Sequence, residues 1–167
     1  ERVVKLIQGS NFQDRIDFSG DFNALIGRIA NSYSLGNVLR HSVIEVGFED
    51  FNVKISTDQG EFLAKIFSKN RTSEEIDRNV INIEKAIVAG VNHPKLMLLD
   101  GRAMYQDAES GLKLIVMQFI AGKTFYDLSV VPDAHDLALI AAEAVKINNI
   151  DYDPPYLFDS WAIPNME

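Results

Sequence analysis

Phe51-Asn52-Val53-Lys54-Ile55-Ser56, then Thr57-Asp58-Gln59-Gly60, then Glu61-Phe62-Leu63-Ala64-Lys65-Ile66-Phe67: these residues decide the fold. Both outer runs are rich in β-favouring side chains, and apolar residues in them recur at a period of two. The four residues between carry Asp and Gly, which suit a tight turn. The stretch is therefore predicted as an antiparallel hairpin. Immediately upstream, Val43–Val46 reads as a further short strand, giving three antiparallel strands between Ser42 and Phe67. Downstream, two more strands are expected near 102–107 and 112–119, joined by the polar turn Ala108-Glu109-Ser110-Gly111.

Helical periodicity surrounds and interrupts this β pattern. Phe18, Phe22, Leu25, Ile26, Ile29 and Tyr33 recur at steps of three and four, which predicts a helix over 20–33. Ser34-Leu35-Gly36-Asn37 then supplies turn chemistry. After the third strand, Thr72 or Ser73 can cap a helix, and Glu75 can complete a capping box from Thr72. The stripe Ile76, Val80, Ile83, Ile87 and Val91 carries that helix over 73–89, with Gly90 placed for the C-terminal cap. Beyond Gly122 a short helix is expected at Phe125–Leu128. A longer one runs from Asp133, its cap, to Asn148, with Leu137, Ile140, Ala141, Ala144 and Ile147 on one face. The fold class is thus α+β: a five-stranded antiparallel sheet packed by one helix, preceded by an N-terminal helix and followed by the first helices of a second lobe. In domain terms, 1–40 is a helical extension, 41–122 the sheet-bearing lobe, and 123–167 an incomplete helical lobe.

Composition limits the function classes. Of 167 residues, 47% are hydrophobic and 24% charged, with five prolines, as in a chain able to bury a core. Sixteen basic against 24 acidic residues give a formal charge of -8, the wrong sign for gripping a phosphate backbone, so nucleic acid is not an expected partner. The longest apolar runs, such as Leu112 to Ile120, fall short of the roughly 20 residues of a membrane helix, so no membrane partner is expected. Zero cysteines exclude disulfides and thiolate metal sites, and a cytoplasmic address is the expectation. The start, Glu1-Arg2-Val3-Val4-Lys5, has neither initiator Met nor signal-peptide core, which suggests a trimmed product.

The chemistry centres on Lys65. A lysine inside an apolar strand is costly to bury and needs an anionic partner or an exit to water. Glu84 follows on the next helix, in Ile83-Glu84-Lys85-Ala86-Ile87-Val88-Ala89-Gly90-Val91-Asn92-His93-Pro94. Before Lys65, Val46-Gly47-Phe48-Glu49-Asp50-Phe51-Asn52-Val53 forms the turn between the first two strands. After it, Leu114-Ile115-Val116-Met117-Gln118-Phe119-Ile120-Ala121-Gly122 is a buried strand that ends at a glycine.

This order of loop, strand lysine, helix acid and strand with terminal glycine, over about 42–128, resembles the amino-terminal lobe of the aminoglycoside phosphotransferase and choline kinase families, which share the protein-kinase-like fold. The resemblance implies that Lys65 holds the α- and β-phosphates of a nucleotide and is steadied by a helix acid. Glu84 is the first candidate, while the family's usual spacing falls near Asn79, and Glu75 and Asp77 compete. It implies that the loop with Gly47, Asp50 and Asn52 folds over the phosphates. The loop lacks the three-glycine set of protein kinases and looks like the single-glycine form. Met117 would back the purine pocket, with Gln118 and Ile120 offering main-chain groups to adenine. Glu84, Gly47, Asp50, Asn52, Met117, Gln118 and Ile120 are therefore expected to bind cofactor together with Lys65.

Phosphoryl transfer needs more than this lobe. The family carries His-x-Asp followed by Asn, then a metal-holding Asp pair. His41-Ser42-Val43, His93-Pro94-Lys95 and His135-Asp136-Leu137 all fail that pattern, and Asp151-Tyr152-Asp153 runs into Pro154-Pro155 and reads as a turn. No catalytic or metal residue is assigned. The expectation is a nucleotide-binding fragment of an ATP- and Mg2+-dependent kinase acting on a small-molecule hydroxyl. Such a fragment would be inactive alone and would bind ATP weakly or not at all. Its partners would be the nucleotide and the remaining lobe of the same protein, with self-association through the exposed lobe interface. The alternative is a non-catalytic nucleotide-sensing or partner-docking module.

Overall fold

The computed structural model describes residues 12–45 and 49–153. After a short 3-10 turn at Phe12–Arg15, α1 spans Phe22–Ser32 and three strands follow: β1 Val38–Ile44, β2 Phe51–Thr57 and β3 Gly60–Ile66. Helix α2 covers Ser73–Val88, strands β4 and β5 cover Met104–Gln106 and Lys113–Gln118, and helices α3 and α4 cover Phe125–Leu128 and Ala134–Asn148. The strands form one antiparallel sheet in the order β1-β2-β3-β5-β4. The fold is therefore α+β, with a five-stranded antiparallel open sheet and four helices among the described residues.

The predicted hairpin is β2–β3, in register from Phe51↔Ile66 to Thr57↔Gly60, so its loop is Asp58-Gln59. Strand β1 begins earlier than the periodicity suggested, at Val38 instead of Val43. It pairs on one edge only, with a register shift between Val38 and Arg40, and most of its residues are exposed. An edge strand of this kind lacks the alternation that marks a half-buried one. Strand β4 is also shorter than expected. Asp100 and Gly101 turn with positive φ, and the Leu99 and Arg102 amides and carbonyls bond each other, which leaves only Met104–Gln106 to pair with β5.

The chain divides into two compact units. Of the described residues, the first comprises 12–45, 49–72 and 94–130 and carries the sheet; the second comprises 73–93 and 131–153. In the first unit, alternate residues of β2, β3 and β5 (Phe51, Val53, Ile55, Phe62, Ala64, Ile66, Leu114 and Val116) join Leu25, Ile26, Ile29 and Ala30 of α1 in a single buried core. Within this unit the helix supplying the core is α1, whose residues fall in the stretch that the sequence assigns to a helical extension over 1–40. The reason lies in α1 itself: its apolar stripe is complete, and Asp21 caps it by accepting from the amides of Asn23 and Ala24 at 2.9 and 3.3 Å.

A buried polar network ties α1 to the β4–β5 turn. The Arg28 guanidinium donates twice to Asp107, at 2.9 Å each, and Asp107 also accepts from the Ser110 amide and hydroxyl at 3.0 and 2.6 Å. The Arg28 fork, with help from Ser110, holds the Asp107 carboxyl far below the usual range although burial opposes it. Beside it Tyr33 donates to the Ala103 carbonyl at 3.1 Å. Burial, then the neighbouring Tyr105, pushes the Tyr33 phenol well above its usual range.

In the second unit, Gly90 takes φ +78° behind α2, and the Val91 amide bonds the Ala86 carbonyl, as the glycine cap required. Asp133 and Asp136 form a reciprocal capping box at the start of α4. The apolar stripe predicted for α4 is not buried: Leu137, Ile140 and Ile147 are each more than half exposed. Among the described residues no helix is long and apolar enough to cross a membrane.

Candidate functional site

Strand alternation gives β3 two faces. Phe62, Ala64 and Ile66 enter the core shared with α1, so Lys65 and Leu63 face the opposite side. In register, Asn52 lies across from Lys65 on β2, Ile115 across from it on β5, and Met117 across from Leu63. Lys65, Asn52, Leu63 and Met117 therefore share one face. Met117 is buried, Lys65 is 28% exposed, and Asn52 is half-buried.

The ion-pair partner of Lys65 is Asp50, at 3.1 Å from Nζ to Oδ2. Asp50 immediately precedes β2, and its side chain is 5% exposed. Hairpin register brings this residue beside Phe67, so the segment leaving β3 wraps round its carboxylate. The Ser68 amide donates to Oδ1 at 3.1 Å, Arg71 Nε donates to the same oxygen at 2.8 Å, and Arg71 Nη2 donates to Oδ2 at 3.2 Å. Arg71 also reaches Glu49. Burial alone would raise the Asp50 carboxyl, but the Arg71 bonds, the Lys65 charge and the Ser68 amide outweigh it and keep it below its ordinary value. A carboxylate held this way is ionised and stationary, and the lysine it holds inherits that fixity.

At the opposite end of β3 the same face carries a second charged group. Lys54 Nζ lies 2.8 Å from Glu61 Oε1 and 4.2 Å from the centroid of the Phe119 ring. The Lys54 hydrogen bond holds the Glu61 carboxyl below its usual value. Near this end a shallow depression of about 230 Å3 is lined by Gln59, Glu61, Phe62, Lys95, Met97 and Gln118. It does not include Lys65.

The main chain after β5 is partly committed. The Gln118 amide donates to the Lys95 carbonyl and the Phe119 amide to the Glu61 carbonyl, both at 2.9 Å. Of the two residues expected to offer backbone groups to a purine, Gln118 thus has its N–H engaged. Ile120 is 65% exposed, and its N–H has no acceptor among the described residues.

The expected site residues are thus distributed unevenly. Lys65, Asp50, Asn52 and Met117 belong to one end or one face of the sheet, with Gln118 and Ile120 at the strand terminus. Glu84 is exposed on α2, in the other compact unit. Gly47 lies outside the described residues. Arg71 and the Ser68 amide were missed. The available signal was the hairpin itself: a turn at 58–59 sets Asp50 next to Phe67, within reach of whatever follows β3. Among the described residues no three His, Asp or Glu side chains gather as a metal site. A scan against protein-family models finds no match to this chain, and a search of curated proteins finds none either.

Proposed function

We propose that the sheet-bearing unit is the nucleotide-binding half of a small-molecule phosphotransferase of the aminoglycoside phosphotransferase and choline kinase type. The observation that carries this reading is Lys65: a strand lysine on the face away from the core, fixed by a buried ionised carboxylate and still open to solvent. Supporting it are the buried Met117 on the same face, the uncommitted Ile120 amide at the strand end, and the order of elements, with a helix following the lysine strand.

These residues fit a nucleotide. The Lys65 ammonium has three N–H donors and Asp50 takes one, which leaves donors for phosphate oxygens. Leu63 and Met117 would offer apolar surface to a purine, and the Ile120 amide a donor to its edge. ATP would supply the γ-phosphoryl group, with Mg2+ offsetting its charge. This chain's own contribution is to bind and orient. The pattern His-x-Asp with a following metal motif is not in the sequence, so the transfer step belongs to residues outside it. That same lack favours a second reading, a nucleotide-sensing module without transfer.

The test is an NMR titration with MgATP to about 10 mM, a range that captures interactions of only a few kcal/mol. Shifts are expected at Lys65, Met117 and Ile120, and Lys65→Ala should weaken binding about tenfold or more, the worth of a charge-assisted hydrogen bond. Equal affinity in Lys65→Ala, or an absence of shifts with the remaining lobe supplied, overturns the proposal. Phosphate release from ATP in the presence of candidate alcohols separates the two readings once the remaining lobe is supplied.

A further inference from the structure

Asp50 would neutralise Lys65 if it were that residue's partner alone, and a neutral pair attracts a phosphate poorly. Yet the carboxylate is shared. Arg71 donates to both of its oxygens, at 2.8 and 3.2 Å, and the Ser68 amide donates to one, at 3.1 Å. We infer that Arg71, acting through Asp50, is a positioning residue that fixes Lys65 for a polyphosphate ligand. This inference rests on the proposed nucleotide reading and extends it to two residues that act without touching the ligand.

Geometry and burial give the argument. The side chains of Lys65, Arg71 and Asp50 are less than a third exposed, at 28%, 18% and 5%. Glu49, which is 61% exposed, also pairs with Arg71 and holds that guanidinium from the solvent side. The carboxylate is held by three N–H donors from two residues besides Lys65, so it stays when a ligand arrives. Lys65 therefore presents its remaining N–H groups from a fixed origin, which lowers the ordering cost of binding. In this arrangement the steadying acid comes from the residue before β2, not from a helix.

A contrary role for Asp50 is available, and it predicts the opposite sign. A carboxylate surrounded by a lysine, an arginine and a backbone amide also looks like a bound anion, so Asp50 could compete with phosphate for Lys65. Replacing it would then strengthen binding.

The experiment titrates the full chain with MgATP and, separately, with inorganic triphosphate, following Lys65 Cε by NMR. Asp50→Asn is expected to weaken both ligands about tenfold, one charge-assisted bond's worth, and to raise the mobility of the Lys65 side chain. Arg71→Gln should weaken both about threefold to tenfold by the same reasoning, while Arg71→Lys, which keeps the charge but loses the fork to both Asp50 oxygens, recovers only part of the loss. Equal or tighter binding in Asp50→Asn, or unchanged binding in Arg71→Gln, overturns the inference while leaving the nucleotide reading intact. If Asp50→Asn does not fold, the Arg71→Gln and Arg71→Lys pair decides. Failure of the unaltered chain to bind either ligand with the remaining lobe supplied removes the nucleotide reading and this inference with it.

Discussion

At position 36 the backbone holds φ +92°, and a Cβ built there would lie 2.1 Å from Asp58 Oδ1. That carboxylate is needed where it is, because it accepts from the Asn37 amide at 2.8 Å and from the Asn37 side chain at 2.7 Å, docking the α1–β1 turn onto the β2–β3 loop. Gly36→Ala should therefore cost more than about 2 kcal/mol, from left-handed strain plus the displaced hydrogen bonds. Gly111 has φ +73° with nothing within 4 Å of its added Cβ, so Gly111→Ala should cost only about 1 kcal/mol of backbone strain. Urea unfolding of the two variants separates strain from clash; equal losses would show that the Asp58 contact is idle. Asp107 makes a pH prediction. Its folded carboxyl lies well below the ordinary value of 3.8 because of Arg28, so its stabilisation is complete above that value and is lost as pH falls below it. Asp50 titrates in the same direction. Asp107→Asn should cost about 2 kcal/mol or more near pH 7, since the Arg28 fork loses its charged acceptor. It should also flatten, without abolishing, the fall in stability below pH 3.8. An unchanged slope would remove Asp107 from the acid response. Lys65 was visible in the sequence because a cation in an apolar strand demands an explanation. Its partner was not, because Asp50 sits outside the strand and is joined to it only through the hairpin register.

Elements were legible wherever a periodicity had a buried face to produce it. The hairpin at 51–66 and the stripe of α1 both end in the same core, and their side chains there are almost wholly buried. Edge strand β1 was underestimated for the converse reason. What periodicity could not say is which helix the sheet core uses, since α1, α2 and α4 all show apolar residues at helical spacing. Burial answers it: Leu25, Ile26 and Ile29 are at 0% exposure, while Leu137 of α4 is at 55%. Leu25→Ala should accordingly cost about 2–5 kcal/mol, as core truncations do. Leu137→Ala, by contrast, should stay within about 0.5 kcal/mol. Thermal unfolding of this pair is the check, and comparable losses would mean that α4 is packed as firmly as α1.

For the molecule as a whole, this contrast predicts how stability is distributed between the two units. The first unit contains the core in which α1, β2, β3 and β5 meet, along with the Arg28–Asp107 and Thr57–Leu35 bonds that pin its turns. In the second unit, α2 buries Ile76 and Val80, α4 buries nothing, and Asn92 bonds Glu143 at the surface. Local opening free energy follows buried apolar surface and protected backbone bonds. Amides of Val53, Ile55, Ala64, Leu114 and Val116 should exchange slowest, near the rate set by global unfolding. Those of α4 should exchange much faster despite its capping box, because a cap contributes only about 1 kcal/mol and a short helix without packing is marginal in water. Hydrogen exchange read by NMR or mass spectrometry resolves these segments directly. If α4 proves as protected as β3, its apolar residues are covered in solution, by self-association or otherwise. A dependence of that protection on protein concentration would identify self-association as the cause.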